Sequence, residues 1–222
     1  MGVAYHQGMP DPPSSSARSV KIGADERTGW SSDRPRREGS APRPVDVSTR
    51  CRVLRPTDRM RYSPGSLLIV VSASPAARDA FIDRVIEEKG AVFTLAKIRA
   101  LVEGRVPAEQ LDERAAELQQ AAVAKRLEAG ETVVIGAEGL SAEERERWVR
   151  LAHGLRRPRH IILLETAKEQ VGEEDAAPLN ELRTALDTGE LGAEGFQTAM
   201  RLGGAAIGEL KRIVFRPAPR DD

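Results

Sequence analysis

Apolar residues are distributed unevenly along the chain. Through its first part they stand singly among prolines, serines and charges, and from Gly65 onward they gather into short runs separated by amphipathic stretches. Ser66-Leu67-Leu68-Ile69-Val70-Val71 is a continuous apolar run of the kind that forms a strand buried on both faces. Ala76 to Lys89 carries Phe81, Ile82, Val85 and Ile86 on one stripe, which predicts a helix ended by Gly90. Ala91-Val92-Phe93-Thr94 predicts a second strand. A short helix around Lys97 to Val102 follows, then a long one from about Pro107, suited to a first turn, to Ala129, stopped by Gly130. Glu131-Thr132-Val133-Val134-Ile135 reads as a third strand. Ser141-Ala142-Glu143-Glu144 opens a further helix as a capping box, with a hydroxyl at the N-cap and a carboxylate three residues on. His160-Ile161-Ile162-Leu163-Leu164 is the fourth strand. This alternation predicts an α/β domain built on a doubly covered parallel sheet.

Composition divides the chain further. The 222 residues carry 34 Lys plus Arg and 34 Asp plus Glu, so net charge alone points to neither nucleic acid nor membrane. The balance hides a split: Met1 to Pro64 holds 12 basic and 7 acidic residues, a net of +5, and the remainder carries the opposite excess. Residues 1–50 are rich in Pro, Ser and Arg and offer no apolar face that would offset their ordering entropy, so they are expected to form a disordered basic arm. A linker is expected at 51–64, the α/β domain at 65–217 and a charged tail at 218–222. Such an arm suits contact with nucleic acid or another protein, and Trp30 is a candidate docking point. Cys51 is the sole cysteine, which excludes an intramolecular disulfide and a multi-cysteine metal site and suits a reducing cytoplasm. No apolar run approaches the ~20 residues of a membrane span, and no membrane partner is expected. The first residues lack the apolar stretch of a secretory signal, and His6 stands where a myristoylation motif places Ser or Thr.

In parallel α/β sheets ligands bind outside the carboxyl ends of the strands. The turn after the first strand, Ser72-Ala73-Ser74-Pro75-Ala76-Ala77-Arg78-Asp79, therefore receives most scrutiny. It stands where a phosphate loop, G-x-x-x-x-G-K-[ST], would lie, and it keeps no position of that signature. Ser72 and Ala77 replace the glycines that let backbone amides wrap a phosphate, Arg78 replaces the lysine, and Asp79 replaces the metal-binding hydroxyl. A β-carbon at positive φ costs roughly 1–2 kcal/mol. Arginine is a broad planar fork where the loop uses a compact ammonium. A carboxylate at a helix N-terminus caps the helix and competes with phosphate for the same amides. Ser72, Ser74, Ala77, Arg78 and Asp79 thus form either a degenerate cofactor-binding loop or a plain strand–turn–helix capped by Asp79.

Further segments extend this resemblance. Pro64 to Val71, Ile98-Arg99-Ala100-Leu101-Val102, Lys125 to Ser141, Ala193-Glu194-Gly195-Phe196 and Ile213-Val214-Phe215-Arg216-Pro217 follow one another at family spacing. Over about residues 65–217 the chain resembles the P-loop kinases of the polynucleotide-kinase type, often labelled AAA-family ATPases in bacteria, with a degenerate Walker A motif. The resemblance implies a P-loop kinase-like fold and the loss of its chemistry. Ala96 stands where the family's catalytic base would be, and a methyl group takes no proton. Gly136, Glu138 and Gly139 stand at the Asp, Thr and Asn of its D-A-T-N motif. The segment Ala167 to Asp175, where an arginine-bearing lid is expected, is acidic, with no arginine before Arg183. Arg99 alone matches a residue that the family uses for substrate phosphate; otherwise it is a solvated helix arginine. Phosphoryl transfer depends on positioning and charge compensation, so these losses imply a pseudokinase acting by binding or regulation, with no cofactor and no catalytic residue expected. The alternatives are a divergent kinase of nucleotides or polynucleotides, using ATP and Mg²⁺ with Arg78 in the lysine's place, and a nucleic-acid-binding accessory protein using the basic arm.

Other residues carry weaker signals. His6, His153 and His160 have no partners at metal-ligand spacing, and His160 is expected to begin a strand. Ser72 and Ser74 lack a histidine base nearby in sequence. Arg156, Arg157 and Arg159 form either an anion patch or a set of cations complementing a helix dipole. Glu143, Glu144, Glu146, Arg147 and Arg150 fit an exposed helix face.

Overall fold

The computed structural model describes residues 45–217; most of the arm expected at 1–50, with His6 and Trp30, and the tail at 218–222 lie outside the described residues. In chain order the strands are β1 (Arg52–Leu54), β2 (Arg59–Tyr62), β3 (Leu67–Val71), β4 (Val92–Phe93), β5 (Val133–Gly136), β6 (Arg159–Leu164), β7 (Thr198–Leu202) and β8 (Arg212–Phe215). The α-helices are α1 (Pro75–Val85), α2 (Leu95–Val102), α3 (Leu111–Glu128), α4 (Ala142–Gly154), α5 (Glu173–Thr188) and α6 (Ala205–Glu209).

Every residue of β3 is fully buried, so both of its edges must be paired and both of its faces covered. Parallel neighbours β5 and β6 provide the pairing, and the six-stranded sheet runs in the order β1-β7-β6-β3-β5-β4, parallel throughout. Counted from β3, that order differs from both common doubly wound arrangements, 3-2-1-4-5-6 and 2-1-3-4-5. Side-chain alternation along β3 divides the core in two. Leu67, Ile69 and Val71 pack with Val123 and Leu127 of α3, Trp148, Val149 and Ala152 of α4, and Leu179, Leu182 and Leu186 of α5. Leu68 and Val70 pack on the other face with Phe81, Ile82 and Val85 of α1, with Met60 and Tyr62 of β2, and with Ile213 of β8. The result is the expected α/β architecture with helices on both faces.

Several expected boundaries move. The stretch 51–64, expected as a linker, carries β1 and β2: β1 pairs with β7 at the edge of the main sheet, and β2 pairs in parallel with β8 in a separate ribbon. Part of 45–50, expected within the arm, also packs: Val47, like Cys51 just after it, is apolar and lies half-buried against the core. The close approach is built on glycine. A β-carbon on Gly192 would meet Thr49 O at 2.3 Å, and one on Gly195, at φ 100°, would meet Val47 O at 2.8 Å. Strand β7, not expected from the sequence, lies between β6 and β1. Helix α1 ends at Val85, ahead of Gly90, because Ile86 leaves it to form a parallel bridge with Ile213. Helix α3 starts at Leu111 after a 3₁₀ turn at Ala108–Gln110 that follows Pro107. Among the described residues no helix is long and apolar enough to cross a membrane.

Candidate functional site

The turn between β3 and α1 lies at the carboxyl end of the central strand, between the ends of β5 and β6. Two of its amides, those of Ser74 and Ala77, are taken by its own serine side chains. Ser72 Oγ accepts from Ser74 N at 3.2 Å and lies 3.1 Å from Thr166 Oγ1, just beyond the end of β6. Ser74 is the N-cap of α1: its Oγ accepts from Ala77 N at 3.3 Å, and Pro75 follows in the first turn. The expectation that Asp79 caps the helix is therefore corrected. Ser-Pro carries both the capping oxygen and the preset φ of the first turn, whereas Asp79 lies within α1 and accepts from Arg78 Nε at 2.8 Å.

Arg78 fills the space beside this turn. Its side chain is 1% exposed and ends across Gly136 at the carboxyl end of β5. Nη1 donates to Ala137 O and Nη2 to Glu138 Oε1 at 3.4 Å. A β-carbon on Gly136 would lie 2.8 Å from Arg78 Nε and 3.0 Å from Thr94 Cγ2, so glycine at 136 is what leaves room for the guanidinium. The fork is thus committed to the β5–α4 loop. In that loop Glu144 reaches back from α4, and its two carboxylate oxygens accept from Glu138 N and Gly139 N, both at 2.6 Å. Only half of the expected capping box forms: Ser141 Oγ accepts from Glu144 N at 3.3 Å, while Glu144 serves residues 138 and 139. Two consecutive amides that would suit an anion thus hold the protein's own carboxylate.

The remaining expected residues lie apart or in other roles. Arg99 on α2 donates to Asp112 on α3 at 2.8 Å, an exposed pair that fits the solvated-arginine reading. Ala96 is exposed near the start of α2, and its neighbour Lys97 pairs with Asp83 of α1 at 2.9 Å. After β6, Glu165 accepts from Arg183 of α5 and Arg201 of β7. Burial pushes the Glu165 carboxyl up, but the hydrogen bonds and charges of those arginines outweigh it and hold the group below its ordinary value. The acidic residues Glu173, Glu174 and Asp175 form the first turn of α5, where they complement its dipole. Sequence reading missed Thr166, the reach of Glu144 and the Glu165 network. Thr166 had one usable signal, its place just past a neighbouring parallel strand.

A nucleotide triphosphate with Mg²⁺ would find the groups of this turn already engaged. The amides of Ser74 and Ala77 are occupied by serine oxygens, Gly136 supplies no carboxylate, and a guanidinium lies where β3 and β5 open. Among the described residues no group of three or more His, Cys, Asp or Glu side chains is placed to hold a metal ion. Cys51 is half-buried beside Glu194, and burial first, then that carboxylate, push its thiol up, away from the reactive thiolate. No protein-family model and no curated protein matches the chain.

Proposed function

We propose that this chain is a non-catalytic protein of P-loop kinase-like architecture, a pseudokinase relative of the polynucleotide kinases, that acts in the cytoplasm by binding or regulation. The observation that carries the reading is the buried Arg78, whose three guanidinium nitrogens are engaged by Asp79, Ala137 and Glu138. A phosphate loop needs its cation free to meet the β- and γ-phosphates. Here the cation is spent on structure, which also argues against the reading in which Arg78 does the lysine's work. The parallel sheet with β3 at its centre is compatible with a P-loop-like fold. Calorimetric titration with ATP and Mg²⁺ tests the proposal. No saturable heat and no rise in melting temperature is the expected result. Micromolar affinity abolished by Arg78→Ala would overturn it, since a ligand at 100 times its Kd stabilises by about 2.7 kcal/mol.

A further inference from the structure

We propose a second site, independent of the reading above, at the opposite end of the sheet: a basic cleft that binds the phosphate groups of a small molecule through Arg156, Arg157 and Arg159. A shallow, open groove of about 620 Å³ lies where α4 ends and β6 begins, lined among others by Val45, His153, the three arginines and Gln197, with no carboxylate in its wall. Its size lies within the range of about 300–1,000 Å³ typical of small-molecule sites. Arg159 is 94% buried, a cation withdrawn from water. Its Nε donates to Gly195 O at 2.7 Å and its Nη1 lies 3.1 Å from His153 Nδ1, which fixes the fork. Arg157 is half-buried and held by Leu127 O at 2.9 Å. Its Nη2 also reaches Glu128 O at 3.4 Å, so Arg157 and Arg159 bring two fixed positive charges to the cleft wall, and guanidiniums are the cations best suited to phosphate oxygens. Burial disfavours the charge of Arg159, and a bound anion would offset that. Asp46 is the carboxylate whose field includes His153, but its Oδ1 is held by the amide and hydroxyl of Ser48.

Arg156 supplies the decisive observation. Helix α4 closes with hydrogen bonds from Arg156 N to His153 O at 2.9 Å and from Arg157 N to Ala152 O at 2.8 Å, a bend whose left-handed position usually holds glycine. Arg156 occupies it at φ 57°, the one non-glycine residue with positive φ among the described residues. Its side chain is exposed and has neither hydrogen bond nor ion pair among the described residues. Complementing a helix dipole explains Arg157, which bonds a terminal carbonyl of α3, but it requires no arginine in a left-handed position. That cost in backbone geometry, placing an unpaired cation beside two fixed ones, is the feature from which we infer a ligand contact.

Calorimetry of the full chain at low ionic strength, with inorganic pyrophosphate as probe and with sulfate and a ten-nucleotide single strand as parallel arms, tests the proposal. Pyrophosphate is expected to bind saturably at one site. Arg156→Gly should weaken it about tenfold or more, the effect of losing a charge-assisted contact. Glycine suits that φ, so the variant keeps its fold, which its melting curve verifies. Arg105→Ala, an exposed arginine outside the cleft, should change affinity less than twofold. No pyrophosphate binding, unchanged binding in Arg156→Gly, or sulfate binding as tightly as pyrophosphate would overturn the site. A single strand bound more tightly than pyrophosphate, with the same dependence on Arg156, would overturn the small-molecule assignment in favour of nucleic acid.

Discussion

Removing the Arg78 side chain takes away the donor to Ala137 O and leaves a void beside Gly136 and Thr94. Arg78→Ala is therefore expected to cost about 2–4 kcal/mol in urea unfolding, mostly through the cavity and the orphaned carbonyl, because Asp79 and Glu138 stay partly solvated. The location of this site was legible in the sequence, since a turn after a buried strand falls at the carboxyl edge of the sheet. The direction of the Arg78 side chain was not. It depends on a carbonyl 59 residues away and on a missing β-carbon at 136, and neither leaves a local trace. The Ser74–Pro75 cap did leave one, which Asp79 obscured. His160 gives a second expectation at this scale. Its ring lies 4.5 Å from Tyr62, between Thr198 and Ser66, and burial, then the charge of Arg159, push its pKa down to about 4. The folded state thus prefers neutral imidazole, so this contribution is present above the unfolded pKa near 6.5 and is lost as pH falls from there toward 4. Stability should drop by about 2 kcal/mol between pH 7 and pH 5, and His160→Gln should flatten that slope. Equal urea midpoints at the two pH values would contradict it.

At the level of elements, strands β3, β5 and β6 were readable because burial on both faces demands unbroken apolar runs. Strands β1 and β7 were not. The edge strand β1 is Arg-Val-Leu, largely exposed, and β7 places Arg201 outward within five residues. Their strand state comes from pairing with each other and with β6, a tertiary effect that periodicity does not carry. The edge should nonetheless matter. A chain starting at Pro56 is expected to melt well below one starting at Val45, because it loses β1 and the packing of Val47 and Cys51. Gly195→Ala should cost about 2 kcal/mol or more, since its β-carbon meets Val47 O and Val149 Cγ1 at 2.8 Å in a conformation that already disfavours a side chain. At the end of α4 the sign reverses: Arg156→Gly should stabilise by up to about 1 kcal/mol, read from the same denaturation curves.

For the molecule as a whole, the proposed function predicts that rebuilding the loop alone leaves it inactive. The combined variant Ser72→Gly, Ala77→Gly, Arg78→Lys, Asp79→Ser should transfer no phosphate from ATP to 5′-hydroxyl DNA or RNA above background. Ala96 still offers no base, whose loss typically costs 10²–10⁴-fold. Transfer by that variant, measured with labelled ATP, would mean that the base has been wrongly placed. Gly136 adds a constraint of a different kind. Because a β-carbon there and the guanidinium of Arg78 compete for one volume, the two positions cannot be changed in either order. Gly136→Asp made first should clash, whereas in an Arg78→Lys background the guanidinium contact is gone and only Thr94 Cγ2 and the side chain at 78 have to give, so a double-mutant cycle should read strong coupling. Arg78 thus acts as a one-way gate on position 136: a side chain can enter there only after position 78 has changed, whereas the glycine places no such condition on position 78.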